Sequence, residues 1–372
     1  MHSIIHYPVG NGDCSLIKLN DGTSIIIDCQ IFEITDDNKA DTYDVKADLL
    51  KELGRDADGR PFVDLFVSTH PHADHCDGFA ENFYSGLPDD YDDETDKDKI
   101  IIGELWVTPM TFGNDIDKSA EEIRRSAKRR RKLYDDDDDY SGEYGTYLHI
   151  IGYDKDKEFD ARYGYVPGTT VTSINGKGQK YISIFIHAPF KESVEQGKDS
   201  GDKNEVSIVL QSSFKDDAGN TVCKLLTAGD AEHGVWEKII ENNQKDENLD
   251  WNIFLAPHHC SWTFFNDSGN KEDIKQSAKD IMGHQLRNAD LVTSCVKIEN
   301  IKKEPPCEKA KKKYIELLEG GEDHFLNTAE EFDTSSGPIV FKVTQNGKAK
   351  VKKVINAAES IVSRPAPRAG QC

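Results

Sequence analysis

Four metal-ligand side chains occupy six consecutive positions of "STHPHADHCDGF": His70, His72, Asp74 and His75. Imidazole and carboxylate bind zinc and similar first-row divalent ions. Period-2 spacing at a strand end turns His70 and His72 to the same side. Asp74 and His75, across a turn, can then face a second ion. Such an arrangement suits hydrolysis by a metal-activated water. The plainer alternative is a polar surface loop in which histidines fall by chance, and the preceding apolar run argues against it.

That run, "VDLFVST", reads as a strand buried on both faces, which would hold the ligand loop rigidly. Before it, "SIIHY", "CSLIKL" and "SIIIDC" are short β-branched runs separated by the turn signals "GNGD" and "NDG". "YDVKADLLKELG" predicts a helix ending at Gly54, and "ELWVTP" another strand. Downstream, "YISIFIHAPF", "VSIVLQSSF", "VCKLLTAGD", "WNIFLAPHH" and "DLVTSCV" read as strands, and "GVWEKIIENN" and "EKAKKKYIELLEGG" as helices. "PIVFKVTQNGKAKVKKV" carries Asn-Gly between two strands, a hairpin signal. The alternation predicts layered α/β structure in one domain, 1–360, with a charged insertion at about 112–165 and a flexible tail over 361–372.

The insertion sets "AEEIRRSAKRRRKLY" against five consecutive aspartates. It reads either as a solvated, partly mobile excursion whose charges compensate, or as a basic surface for a phosphate-bearing ligand or protein partner. Overall the chain has 46 Lys+Arg against 68 Asp+Glu, a formal charge of −22. That disfavours non-specific binding to nucleic acid or anionic membrane. No apolar run reaches the ~18–20 residues of a membrane span. The first residues lack a secretory pattern, so a cytoplasmic location without membrane association is expected. Eight cysteines are scattered without a CxxC pair, which argues against a disulfide scaffold.

"HPHADH" fits H-x-H-x-D-H, and the chain resembles the metallo-β-lactamase-fold hydrolases. Gly78 stands where that pattern continues with glycine. "VGNGDCSLIKL", "SIIIDC", "NEVSIVL", "LLTAGDAE" and "PHHCS" resemble the competence-protein (ComEC-like) branch of the same fold, and the likeness spans roughly residues 5 to 355. The membrane-channel segment of DNA-uptake proteins has no counterpart here. The resemblance implies a four-layer αββα sandwich holding two divalent ions, zinc in the first instance and manganese as the alternative. It implies His70, His72 and His187 at one ion, Asp74, His75 and His259 at the other, and Asp230 bridging. His258 is the alternative to His259.

By the same resemblance, Asp74, Asp230 and His258 are the candidate catalytic residues. His258, Ser261, Trp262 and Asn204 are the candidate substrate contacts. Ser261 also reads as a simple loop hydroxyl, and Asp13 and Asp28 as turn residues or supports for the ligands. Cys260 departs from the branch's usual glycine. The branch implies phosphodiester cleavage of DNA or RNA, in the setting of bacterial antiviral defence. The alternatives are a small phosphodiester or acyl substrate, or a metal-stabilised subunit of a larger assembly.

Overall fold

The computed structural model describes residues 1–351 apart from 40, 155–156, 244, 268–272, 300–303 and 333–336. The expected flexible tail, with Cys372, lies outside the described residues. Two large mixed sheets, of eleven and seven strands, make an α/β protein.

In the first sheet, strands Ser24–Ile27, Pro61–Val67, Ile100–Val107 and Tyr147–Ile151 run parallel side by side. The antiparallel strands Ser15–Lys18, His2–His6, Ile339–Thr344 and Gly347–Val351 extend it on the other side. The second sheet repeats this plan. Ile182–Ala188, Val209–Lys215 and Thr221–Thr227 are antiparallel. Trp251–Leu255, Gln285–Thr293 and Phe325–Asn327 then add in parallel. The closing hairpin pairs Thr344 with Gly347, so Gln345 and Asn346 make the turn and Gly347 already belongs to the strand.

Three large apolar clusters fill the molecule. One draws on both sheets, with Ile4, Ile25, Leu65 and Trp106 from the first meeting Ile184, Leu210, Leu225 and Ile253 from the second. A second packs strand residues such as Phe66 and Ile102 against Leu49, Phe79 and Ile123 from helices. The third packs Phe254 and Leu291 against Trp236, Ile281 and Tyr314. The strand Pro61–Val67, apolar but for Asp64, is buried at every position, with Asp64 accepting the Ser24 N–H.

The charged stretch is not an excursion. Helix Glu121–Asp136 buries Ile123, Ala127, Arg130 and Tyr134 at intervals of three and four residues, one face of a helix. Tyr147–Ile151, within the same stretch, is a strand of the first sheet. Arg130 is a core residue: its guanidinium donates to the carbonyls of Ile102, Gly103 and Tyr147. Burial pulls it down to about 9. On the outer face, Arg125 pairs with Glu122 and Lys132 with Asp136. No helix among the described residues is long and apolar enough to cross a membrane.

Candidate metal centre

The cluster lies at the carboxyl ends of parallel strands, where an open α/β sheet presents its loops. His70 stands three residues beyond Pro61–Val67, and Asp230 three beyond Thr221–Thr227. His258 and His259 follow Trp251–Leu255, and Asp28 follows Ser24–Ile27 directly. The first sheet supplies the H-x-H-x-D-H loop. The second supplies Asp230 and the histidine pair.

Two donor groups form around Asp230. Asp74, His75, His259 and Asp230 converge in one, and His70, His72 and Asp230 in the other, with their donor atoms mutually within 4.8 Å. Asp230 Oδ1 lies 3.0 Å from His75 Nε2 and 3.5 Å from His259 Nε2. Its Oδ2 lies 3.5 Å from His70 Nε2 and 3.8 Å from His258 Nε2. Facing nitrogens approach closely as well: His70 Nε2 to His72 Nδ1 at 3.0 Å, and His75 Nε2 to His259 Nε2 at 3.2 Å. Asp230 Oδ1 is buried yet finds no well-directed hydrogen bond among the described residues. Several imidazole nitrogens and carboxylate oxygens brought this close together make a donor set that suits a cation. The residues therefore fit a metal ion, and Asp230 belongs to both donor groups.

A third acidic group, Asp13 and Asp28 around His75 Nδ1, stands behind the first. Asp28 Oδ2 is 2.8 Å from His75 Nδ1, which leaves Nε2 to face Asp230. Thr69 holds that carboxylate in turn, through its N–H at 2.7 Å and its hydroxyl at 2.6 Å. His259 is fixed at its far nitrogen by the Ser294 carbonyl, 3.1 Å away. Each deep imidazole is thus oriented by a partner on the opposite ring nitrogen, the usual means of setting a ligand's tautomer.

Charge is distributed unevenly. Burial alone would raise the Asp230 carboxyl, but the charges of His75, His259, His258 and His70 hold it well below the usual range. Burial opposes protonation of His75, yet Asp230 and Asp28 raise it well above its ordinary value. Burial, with the charge of His70, drops His72 to about 4. Burial pushes Asp13 up to about 6. His70, His75 and His259 are fully enclosed, whereas the Asp74 side chain is 39% exposed, so the cluster opens on the His72, Asp74 and His258 side.

The turn carrying the histidine pair is conformationally costly. His258, His259 and Cys260 all have positive φ, at 51°, 50° and 65°. Each such residue costs on the order of 1–3 kcal/mol. Cys260 occupies a position where glycine would be relaxed, and its thiol is buried in the helix-side apolar cluster. Two glycines are forced by close approach. A Cβ at Gly78 would meet the Ile31 carbonyl at 2.4 Å, and one at Gly229 would meet Thr69 Oγ1 at 2.7 Å.

The structure does not bring His187 to the cluster, which corrects the expected ligand set. Ile182, Ile184 and Ile186 point into the core between the sheets, so Phe185 and His187 share the opposite face. The register shifts between Ile186 and Ala188. His187 is still inside its strand, unlike every residue that does reach the centre. Its Nε2 meets the Asn248 carbonyl at 2.9 Å, and burial lowers it to about 4.

The expected substrate contacts are differently engaged. Trp262 is buried and packs against Phe265, with ring centroids 5.3 Å apart. Ser261 caps the following turn by accepting the Thr263 N–H. Asn204 donates to Glu232 at 3.2 Å. Glu232, which was not singled out from the sequence, lies 3.5 Å from His258 Nδ1 and turns His258 Nε2 toward Asp230. Thr69 and Ser294 were also missed. Their roles depend on partners 41 and 35 residues away, and no local pattern signals them.

No protein-family model matches the chain, and no curated protein is similar to it.

Proposed function

We propose that this protein is a metal-dependent hydrolase of the metallo-β-lactamase fold that cleaves phosphodiester bonds of DNA or RNA. The observation that carries the proposal is the pair of donor groups sharing Asp230, which open to solvent beside His72 and Asp74. The three-cluster core supports the four-layer αββα arrangement that this fold implies. The choice of a phosphodiester substrate rests on the sequence resemblance to the competence-protein branch.

Bound divalent ions, zinc in the first instance, supply Lewis acidity and lower the pKa of water. His70, His72 and Asp230 would hold one such ion, and Asp74, His75, His259 and Asp230 would hold the other. Asp28 and Thr69 keep the His75 ring in register. Asp74, the most exposed carboxylate of the group, orients the attacking water and accepts its hydrogen bond. Glu232 at Nδ1 and Asp230 near Nε2 favour the protonated His258 ring, whose Nε2–H would donate toward an oxygen of the substrate. A second reading, a small phosphodiester, is favoured by the −22 charge, because grip on a long phosphate backbone needs many Lys and Arg contacts.

The test is cleavage of labelled single- and double-stranded DNA and of RNA by pure protein with added Zn²⁺ or Mn²⁺, beside Asp230→Ala. Cleavage abolished in the variant is expected. Cleavage by the variant at the wild-type rate would refute the assignment of the site. No cleavage of any polymer, with turnover of a dinucleotide, would favour the second reading.

A further inference from the structure

A cleft of about 390 Å³ lies beside the metal loop, and the charged insertion builds much of its wall. Phe112, Phe159 and Arg131 line it, with Asp115, Asp154 and Gly201. The Arg131 guanidinium carbon stands 5.6 Å from the Phe112 ring centre, 5.8 Å from Phe159 and 6.0 Å from Tyr163. Its Nε also lies 3.4 Å from Asp135, which holds the group in place.

The cleft is tied to the metal loop by a short chain of contacts. Asp117 Oδ2 accepts the N–H of Ala73, the residue between His72 and Asp74, at 2.8 Å. Its Oδ1 pairs with Lys203 Nζ at 3.0 Å. Lys203 is nearly buried. Asp115 is two residues before Asp117, and Gly201 two before Lys203. At no more than ~3.6 Å per residue, the α-carbons of these two lining residues lie within about 7 Å of those of Asp117 and Lys203. Gly201 and Asp115 also approach each other, since a Cβ on the glycine would meet Asp115 Oδ2 at 3.1 Å.

From this arrangement we infer that the cleft binds the nucleobase of one nucleotide of the substrate, with its phosphate held at Lys203 and the metal centre beyond. The inference rests on the phosphodiesterase reading and narrows its substrate class. Aromatic rings interleaved with a guanidinium favour a flat π system over an acyl chain or a bare sugar. The carboxylates of Asp115 and Asp154 accept hydrogen bonds from the ring and exocyclic N–H groups that a base carries. Lys203 is a cation beside the loop that suits one phosphate. Recognition is therefore of a nucleotide or strand end.

Calorimetric titration of the full chain, with Mn²⁺ added, would compare the four ribonucleoside 5′-monophosphates with ribose 5-phosphate, which has the same phosphate but no base. At least one nucleotide should bind tenfold or more tightly than ribose 5-phosphate. Phe159→Leu, which keeps apolar volume without the ring face, and Arg131→Ala should each bring that nucleotide to the ribose 5-phosphate level. Lys203→Met should weaken both ligands by a similar factor. Melting temperatures would verify that the variants fold. Equal wild-type affinity for nucleotide and ribose 5-phosphate would overturn the inference, as would unchanged nucleotide binding in both Phe159→Leu and Arg131→Ala. Because binding is read without turnover, base-dependent binding in a protein that cleaves no diester would uphold the cleft and refute the hydrolase reading alone.

Discussion

Asp230→Ala removes the one carboxylate shared by both donor groups. Its effect should appear in metal content and in metal-dependent stability together. A ligand present at 100 times its Kd stabilises a protein by about 2.7 kcal/mol. Two ions under those conditions contribute about 5.4 kcal/mol. At ~2.1 cal/mol/K per residue, a chain of 372 residues has an unfolding entropy near 0.78 kcal/mol/K. The added metal should therefore raise Tm by about 7 °C in the wild type. In the variant each donor group loses a member, so the rise should shrink to about 2 °C or less. The assay is a thermal melt with and without Zn²⁺ or Mn²⁺, paired with elemental analysis after gel filtration. Two equivalents in the wild type and fewer than one in Asp230→Ala are expected. A variant retaining two equivalents and the full shift would refute a shared carboxylate.

His187→Ala should keep full metal content, because the residue faces away from the centre. It should lose roughly 1–3 kcal/mol of stability through its packing and its bond to Asn248, read by denaturant melts; loss of metal would instead restore it to the ligand set. Glu104 is buried beside Trp106 and Asn175, and burial raises its carboxyl from 4.5 to about 7. A raised carboxyl binds its proton more tightly in the folded state. Its contribution is therefore fully present below about pH 4.5 and lost as pH rises toward 7, up to roughly 3 kcal/mol at 1.36 kcal/mol per unit. Glu104→Gln should flatten that part of the stability–pH curve, and an unchanged slope would contradict the assignment.

The centre was legible where chemistry and strand ends coincide in sequence. His70, His72, Asp74 and His75 follow an apolar strand, and Asp230 and His259 each follow their own. His187 joined them through the family resemblance and its apparent place at the end of an apolar run. Which face of a strand a residue occupies, and whether the strand has ended, depend on pairing with Val209 and Leu210 across a register shift. The supporting residues were illegible for a related reason. Thr69, Glu232 and Ser294 are common polar residues whose meaning comes from a tertiary partner. The charged insertion misled through composition: Arg130 reads as a solvent charge, yet three backbone carbonyls satisfy it inside the core. Cys260 is the reverse case, since a left-handed backbone explains the glycine that its position resembles.

The division of the centre between the two sheets also sets a timetable during synthesis. The H-x-H-x-D-H loop leaves the ribosome before the rest of the cluster, since Asp230 follows His70 by 160 residues and His259 by 189. At ~5–20 residues per second, that is a wait of roughly 8–40 s. Until then the nascent chain carries these imidazoles without the carboxylate common to both donor groups, so any metal binding that needs Asp230 must follow it. The first strand waits longer still. One edge of His2–His6 stays open until Ile339–Thr344 is made and pairs with it. That strand edge thus stays unpaired while the whole segment between the two strands is made, a period when a nascent chain has need of a chaperone.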